Sequence, residues 1–352
     1  MRRKDPLIIG AGPAGSAAAI TLALGGAKPL LLDRATETGD ALCGGFLSWE
    51  TLRALDALGV AIRGHPITHL HVFAGDRIAH TALPETAMGL SRRALDTALL
   101  NRARALGAGL ERGTMVRSLE EVRCRSDALF LATGKHDIIG SVRPRVQADP
   151  TIGLRVRLPA SPALTREIGN AIELHLFNRG YAGVDLQEDG SANICLAVRK
   201  SLLAEADRNP HQLLQRLGHV SPRFGARLEG LSDTTKIDAI AAIPYGWRVL
   251  KGQHGLFRLG DQCAVIPSLA GEGIGIALAS GSSAARAFLD AGGDAASRWQ
   301  QQFSRQSARP LTLASALWRM GEIPSMAAAA TLALRLLPGL ATLVARATRI
   351  TT

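Results

Sequence analysis

The chain has 352 residues, of which 47% are apolar and 20% charged, the proportions of one large or two joined globular domains rather than a collagenous, disordered or disulfide-stapled chain. Its formal net charge of +11 favours anionic partners such as dinucleotides, acyl-CoA or phosphorylated lipids, but the arginines that dominate it are scattered and not interleaved with aromatics, which argues against nucleic acid. The four cysteines (Cys43, Cys124, Cys195, Cys263) stand far apart with no C-x-x-C pair, which leaves zinc and thioredoxin-type chemistry without support and fits a reducing, cytoplasmic setting.

In chain order, Met1-Arg-Arg-Lys before the apolar Leu7–Ile9 has the outline of a signal peptide, but the run is far too short and reads as the first strand. Gly10-Ala11-Gly12-Pro13-Ala14-Gly15, a helical stretch from Ser16, and the run Pro29–Leu32 ending at Asp33 complete one βαβ unit. The three glycines serve different physical ends. Gly10 permits the strand-to-helix reversal, Gly12 lets amides approach a pyrophosphate, and Gly15 allows close helix–strand packing. The helix N-terminus adds partial positive charge, and Asp33 stands where an acid hydrogen-bonds an adenosine ribose. These residues specify a dinucleotide without choosing between FAD and NAD. Ser48 reads as the N-cap of a helix over 48–59. Residues 66–90, with Gly75 and Pro84, read as short strands and turns. Ser91 to Leu106 is helical, with apolar Leu95, Leu99, Leu100 and Ala103 on one face. Asp127–Leu131 is a buried strand closed by Ala132-Thr133-Gly134.

After Pro150, the runs Ile152–Leu158, Ala171–Phe177, Tyr181–Leu186 and Ala192–Val198 suggest an antiparallel sheet inserted between halves of the dinucleotide fold, followed by a polar helical stretch over 199–218. The chain then returns to a strand, Gly255–Leu259, and to Gly260-Asp261. Pro267-Ser-Leu-Ala-Gly271-Glu-Gly273-Ile274-Gly275 leads into a helix over 276–289. An aspartate at that strand end suits the ribityl hydroxyls of a flavin, and the glycine-rich stretch would set backbone amides against the pyrimidine end of its ring. NAD has no ribityl chain, so FAD is the expected cofactor. The expected architecture is α/β: a Rossmann-like FAD-binding domain (1–65, 90–150 and 250–295), an antiparallel β-sheet substrate domain (66–89 and 151–249), and a helical C-terminal region (296–352). Within that region, residues 311–344 are rich in Leu, Ala and Met, while Pro324, Arg335 and Pro338 argue against a membrane span. A capping subdomain is the favoured reading; the other is an amphipathic lip making peripheral membrane contact or admitting an apolar substrate.

Gly10–Gly15, Asp33-Arg34, Arg92-x-x-Leu95-Asp96, the Asp127–Gly134 segment and Gly260-Asp261…Pro267…Gly271-x-Gly273 together resemble the flavoprotein superfamily of p-hydroxybenzoate hydroxylase, flavin-dependent halogenases and geranylgeranyl reductases, over about residues 7–290. Cys43-Gly44-Gly45-Phe-Leu-Ser48 is most similar to the geranylgeranyl reductase group. The resemblance implies that Asp33 binds the adenosine ribose, Arg92 the pyrophosphate–ribityl region and Asp261 the ribityl hydroxyls, with Gly273 and Ile274 against the isoalloxazine. Pro13, Ala14, Arg34, Gly44, Val116, Thr133, Gly134 and Gly271 complete the candidate cofactor set. A plain helix-start arginine is the alternative for Arg92. Cys43 is the candidate catalytic side chain, placed beside the flavin in the resembling reductases, where a thiol contacts substrate or donates a proton; a small buried hydrophobe is its alternative reading.

Two departures stand out. Ala132-Thr-Gly134-Lys lacks the Asp-Gly pair common in the hydroxylases, and Tyr181-Ala-Gly-Val-Asp-Leu lacks the tryptophan and proline of typical prenyl reductases, so a polyprenyl substrate is not implied. The expected activity is a reductase that passes hydride from reduced flavin to a double bond of a lipophilic or polyketide-like substrate. With no second glycine fingerprint, NAD(P)H would bind transiently. The alternatives are a monooxygenase hydroxylating an aromatic or polyketide substrate and a flavin-binding protein without turnover. The other cysteines read as packing. His65, His69, His71 and His80 have no carboxylate at ligand spacing, so no metal is expected. Glu173, His175 and Phe177 share a strand face, either roofing the substrate cavity or, the favoured reading, facing solvent.

Overall fold

The computed structural model describes residues 5–144 and 148–350; the basic opening of the chain, Met1 to Lys4, lies outside them. Strand β1 (Leu7–Ile9), helix α1 (Pro13–Leu24) and strand β2 (Leu30–Asp33) form the first βαβ unit, with β1 and β2 parallel and Ile8 opposite Leu31. Helix α1 is apolar on every side and buried from Pro13 to Ile20, as a helix held between layers must be. Strand β3 (Phe46–Leu47), helix α2 (Trp49–Ala57), strands β4 (His65–Ala74) and β5 (Arg77–Gly89) and helix α3 (Arg92–Ala105) follow. Ser48 Oγ accepts from the Thr51 N–H, and Ser91 Oγ from the Ala94 N–H, so both helices start at serine caps. Residues 66–90 form one long hairpin turned at Gly75-Asp76, with a register shift between Ile67 and His69, rather than several short strands. Strand β6 (Gly109–Arg112), helix α4 (Glu120–Arg123) and strand β7 (Leu129–Leu131) return the chain to the first sheet.

Strand β8 (Thr151–Leu158), helix α5 (Pro162–Ile168) and strands β9 (Ala171–Phe177), β10 (Gly180–Leu186) and β11 (Ala192–Arg199) follow, each strand within one residue of its expected bounds. The polar stretch over 199–218 is two helices instead of one, α6 (Lys200–Glu205) and α7 (Pro210–Val220), and a third, α8 (Pro222–Arg227), follows it. Asn209 caps a fresh helix with Pro210 at its first position, and Ser221-Pro222 repeats the break, because proline is tolerated only in a helix's first turn. Strands β12 (Ile237–Ile243) and β13 (Leu256–Arg258) precede helix α9 (Gly273–Ala291), which starts one turn earlier than the apolar pattern indicates. Helices α10 (Ala295–Gly321), α11 (Pro324–Leu336) and α12 (Gly339–Ala347) complete the chain.

Two sheets result. The first is five-stranded and parallel, in the order β13-β7-β1-β2-β6; the second is eight-stranded, in the order β12-β8-β11-β10-β9-β4-β5-β3. The second sheet is antiparallel except where β4 and β9 run parallel, His71 opposite Glu173. Helices α1 and α9 pack against each other so closely that a Cβ at Gly281 would stand 2.3 Å from the Ala14 carbonyl oxygen. A second core lies under the larger sheet, where Leu154, Val156 and Ile194 meet Leu214 and Phe224 of α7 and α8.

That second core corrects one expectation. Glu173 and His175 face neither solvent nor the cavity; they are fully buried beneath α8. Arg227 donates from Nε and Nη2 to the two Glu173 oxygens, both at 2.9 Å, and His175 Nε2 lies 3.0 Å from Glu173 Oε2. With side chains alternating along a strand, it is Ile172, Leu174 and Leu176 on the opposite face of β9 that line the cavity.

Candidate active site

The glycine turn between β1 and α1 is built by steric exclusion. Gly10 has φ +104°, and a Cβ there would lie 2.4 Å from the Ala132 carbonyl oxygen; at Gly15 a Cβ would lie 1.9 Å from the Gly10 oxygen. Only hydrogen fits at either place. Gly12 differs: a Cβ there meets only Arg92 Nη2, at 3.6 Å. Its open side faces the cleft, beside the first-turn amides of α1 that have no partner within the helix. A phosphate can approach there as closely as backbone allows. Asp33 Oδ2 accepts from the Ala11 N–H at 2.7 Å and Oδ1 from the Ala35 N–H at 2.8 Å, so the carboxylate is fixed at the rim of the same cleft with lone pairs left for ribose hydroxyls.

Arg92, at the start of α3, is mostly buried. Its side chain reaches into the cleft beside Gly12 and is held by a bidentate pair with Asp96, at 2.9 and 2.6 Å. Arg34 and Val116 line the cleft further out, where Arg34 Nη2 donates to His136 Nε2 at 2.6 Å. Desolvation, with Arg34 next, lowers the His136 pKa, which keeps that ring an acceptor. Thr133 and Gly134 lie on the same wall; Thr133 Oγ1 donates to the His136 carbonyl at 2.6 Å, and Gly134 takes φ +59°.

The other end of the chain meets this cleft. Gly260 packs against Ala14, where an added Cβ would stand 3.2 Å from the Ala14 Cβ, and Asp261 follows it into the cleft. Lys135, which no motif in the sequence singles out, places Nζ 3.2 Å from Asp261 Oδ2; the Asp261 charge raises the ammonium pKa. The lysine follows Gly134, in the segment where the hydroxylases' Asp-Gly pair is missing. At the N-terminus of α9, Gly271 takes φ +63° against Phe46, while Gly273 has nothing within 4 Å of a hypothetical Cβ, and both line the cavity with Ile274. Cleft and helix N-termini together suit a long dinucleotide with a diphosphate at one helix and an electron-accepting ring at the other.

Cys43 and Gly44 line the cavity on a loop gripped from the larger sheet. Asn193 Nδ2 donates to the Gly44 carbonyl at 2.7 Å and Cys195 Sγ to the Cys43 carbonyl at 3.0 Å. Asp185 lies behind them, and burial pushes its carboxyl well above the usual range. Two cysteine expectations change accordingly: Cys195 lines the cavity beside Cys43, and Cys124 is exposed, while Cys263 is buried as expected. Among the described residues no group of His, Cys, Asp or Glu is arranged to hold a metal ion.

Beyond the flavin-sized cleft the cavity continues between the larger sheet and α10–α12, to about 1460 Å³ in all. Its walls there are apolar, with Leu70, Val72, Leu174, Leu176, Leu317, Leu334 and Val344 among them. One polar cluster interrupts them. Tyr181 and Tyr245 both hydrogen-bond Ser268 Oγ, the Tyr245 contact at 2.5 Å. Burial pushes both phenols upward, so both keep their protons at neutral pH. Ser268 follows Pro267 directly in the glycine-rich stretch; the two tyrosines come from β10 and from the loop after β12, a convergence that no local spacing announces.

A Rossmann-like sheet, a glycine-cradled cleft closed from both ends of the chain and an apolar cavity beyond it define an FAD-dependent oxidoreductase. Residues 3–139 match the family model described as FAD binding domain. The menaquinone reductase of Mycolicibacterium smegmatis is 28% identical over 355 residues, spanning 92% of this chain and 85% of that protein. PqsL of P. aeruginosa, solved in complex with 2-aminobenzoylacetate, shares the fold at a TM-score of 0.76 and 17% identity, covering 93% of this chain and 98% of that one. A geranylgeranyl bacteriochlorophyll reductase-like protein from Thermoplasma acidophilum gives 0.71 at 18% identity, over 99% and 94%. The chain carries an FAD binding domain over residues 3–139 and shares the overall fold of these flavoproteins.

Proposed function

We propose that this flavoprotein is a reductase that saturates an activated double bond of a lipophilic, quinone- or polyketide-like substrate, with NAD(P)H as a transiently bound electron donor. The observation that carries the reading is the apolar extension of the cavity, lined by Leu174 and Leu176 on one side and by Leu317, Leu334 and Val344 on the other. Such a wall gains by excluding water from a hydrocarbon-rich ligand and offers a highly polar one few partners. The likeness to a menaquinone reductase points the same way. When bound, FAD supplies hydride exchange between donor and substrate.

The protein's part is to hold and orient. Gly12, Arg92 and Asp33 would hold the diphosphate and adenosine, Asp261 the ribityl chain, and Gly273 and Ile274 the ring. Saturating a double bond needs a proton besides the hydride. The protonated hydroxyls of Tyr181, Ser268 and Tyr245, hydrogen-bonded in series, hold one at the cavity wall. Cys43 Sγ is the second candidate donor.

The test is anaerobic turnover. Protein loaded with FAD is reduced with NADPH, NADH or dithionite and mixed with menaquinone or a short-chain quinone in detergent, and the product is weighed by mass spectrometry. The expected product gains two hydrogens without oxygen and keeps them after the ring is reoxidised to the quinone in air, which a simple quinol would not. Turnover only in air, with labelled oxygen in the product, would replace this reading by a monooxygenase. Flavin that no donor reduces would mark a binding protein without turnover.

A further inference from the structure

The outward surface of the last two helices is apolar and has no partner among the described residues. At the start of α11 and along it, Ile323, Met326 and Leu336 are exposed, and Leu337 and Leu343 carry the surface across the corner into α12. Leu336, Leu337 and Leu343 are 67%, 61% and 65% exposed, far beyond what scattered surface leucines explain. Their charge setting is one-sided. From Ile323 to the last residue the sequence has no aspartate or glutamate, only arginines, of which Arg335 and Arg346 are exposed beside those leucines. The two helices meet at an angle of 115°, and the corner is tied down where Thr81 Oγ1 of β5 donates to the Pro338 carbonyl at 3.4 Å.

Neither helix is long enough to cross a bilayer: α11 has 13 residues, about 20 Å of helix against a hydrocarbon core of about 30 Å. Their inner faces wall the substrate cavity, with Ala330, Leu334, Leu340 and Val344 turned toward it. The same short elements therefore present leucine and arginine outward and line the apolar chamber inward. From this geometry we infer that the α11–α12 corner docks on an anionic lipid bilayer. The leucines enter the acyl boundary and Arg335 and Arg346 meet lipid phosphates. Docking brings the walls of the cavity to the leaflet in which a lipophilic substrate is dissolved. The route into the cavity rests on the proposed function; the docking itself does not.

Flotation of the FAD-loaded protein with vesicles, without substrate, tests it. Phosphatidylcholine vesicles containing phosphatidylglycerol should carry roughly tenfold or more protein than phosphatidylcholine alone, and high salt should reduce the difference. Leu336→Glu with Leu337→Glu should abolish binding while flavin content and melting temperature stay those of the wild type. The inference is overturned by a wild-type protein that binds neither vesicle, by equal binding to both, or by a double variant that floats like wild type. It is overturned equally if that variant instead dissolves a concentration-dependent dimer, which would make the corner a contact between two copies. Substrate turnover in detergent is measured separately, so a wild-type protein that turns over but binds no vesicle defeats the docking and leaves the reductase reading standing.

Discussion

Arg349→Met should lower the melting temperature by several degrees through a residue near the end of the chain. Arg349 Nη1 donates to Glu272 Oε2 at 2.7 Å and to the Ala270 carbonyl at 2.8 Å, and its guanidinium lies 4.8 Å from the Trp49 ring centre. Glu272 is 1% exposed; desolvation raises its pKa, Arg349 opposes that, and Ser48 Oγ donates to it at 3.2 Å. Methionine keeps the stem over Trp49 but strands a carboxylate in the interior, a loss of about 3–5 kcal/mol for a broken buried pair. With an unfolding entropy of about 2.1 cal/mol/K per residue, a chain of this length loses roughly 4–7 °C. The assay is thermal unfolding by circular dichroism in excess FAD, for the wild type, Arg349→Met and the double variant Glu272→Gln/Arg349→Met. The double variant should recover part of the loss, because no charge is then stranded. A single variant melting within about 1 °C of wild type would refute the reasoning, since the pair then carries no energy. So would a double variant less stable than the single.

The other expectations are more local. Gly12→Val places methyls on the open side of the turn, where the only neighbour among the described residues is the end of the Arg92 side chain, so the apoprotein should melt close to wild type while FAD affinity, read by fluorescence titration, falls at least about tenfold. Cys43→Ala should retain FAD and lose turnover; unchanged turnover would make the thiol structural. Tyr181→Phe should keep quinone binding and slow the chemical step by roughly 10²-fold or more in single-turnover kinetics if the hydroxyl series delivers the proton, and leave the rate unchanged if Cys43 does. Burial, then the nearby His80 and His69, lowers the His71 pKa from 6.5 to about 4. Between those values the unfolded chain takes up a proton that the folded one refuses, so stability falls as pH drops from 6.5 toward 4. Acid unfolding curves should show that loss shrinking in His71→Leu; an unchanged curve would place it on other groups.

The first half of the nucleotide fold is legible in the sequence because its constraints are local. Gly15 answers to the Gly10 oxygen, Gly10 to the Ala132 carbonyl just past β7 and Gly12 to the open cleft, all at one spacing within the turn, and Asp33 lies a fixed distance along the same βαβ unit. The strands of the second sheet are legible from period-two alternation, yet not their order, since the parallel pairing of β4 with β9 joins segments about 100 residues apart. The face carrying Glu173 and His175 misleads for a related reason. Polar residues alternating on a strand suggest solvent, and only the fold reveals that Arg227 arrives from α8 to pair with Glu173. Lys135, Tyr245 and Ser268 are silent in the sequence because single polar residues beside turns carry no pattern; they acquire meaning only when Asp261 and Tyr181 stand next to them. Cys195 reads as an apolar filler because one strand residue does not disclose which loop lies across it.

The backbone-close crossing of α1 and α9 acts as a gauge. Gly281 lies against the Ala14 carbonyl, so the separation of two helices is set by atoms that have no side-chain freedom to yield. Both helices begin in the cavity, one at Gly12 and the other at Gly273, and the spacing of those starts is therefore fixed before any ligand arrives. A methyl group added at position 281 would press on the first turn of α1 from the middle of α9 and spread the jaws together. It should be felt at the diphosphate and at the ring alike, although it touches neither.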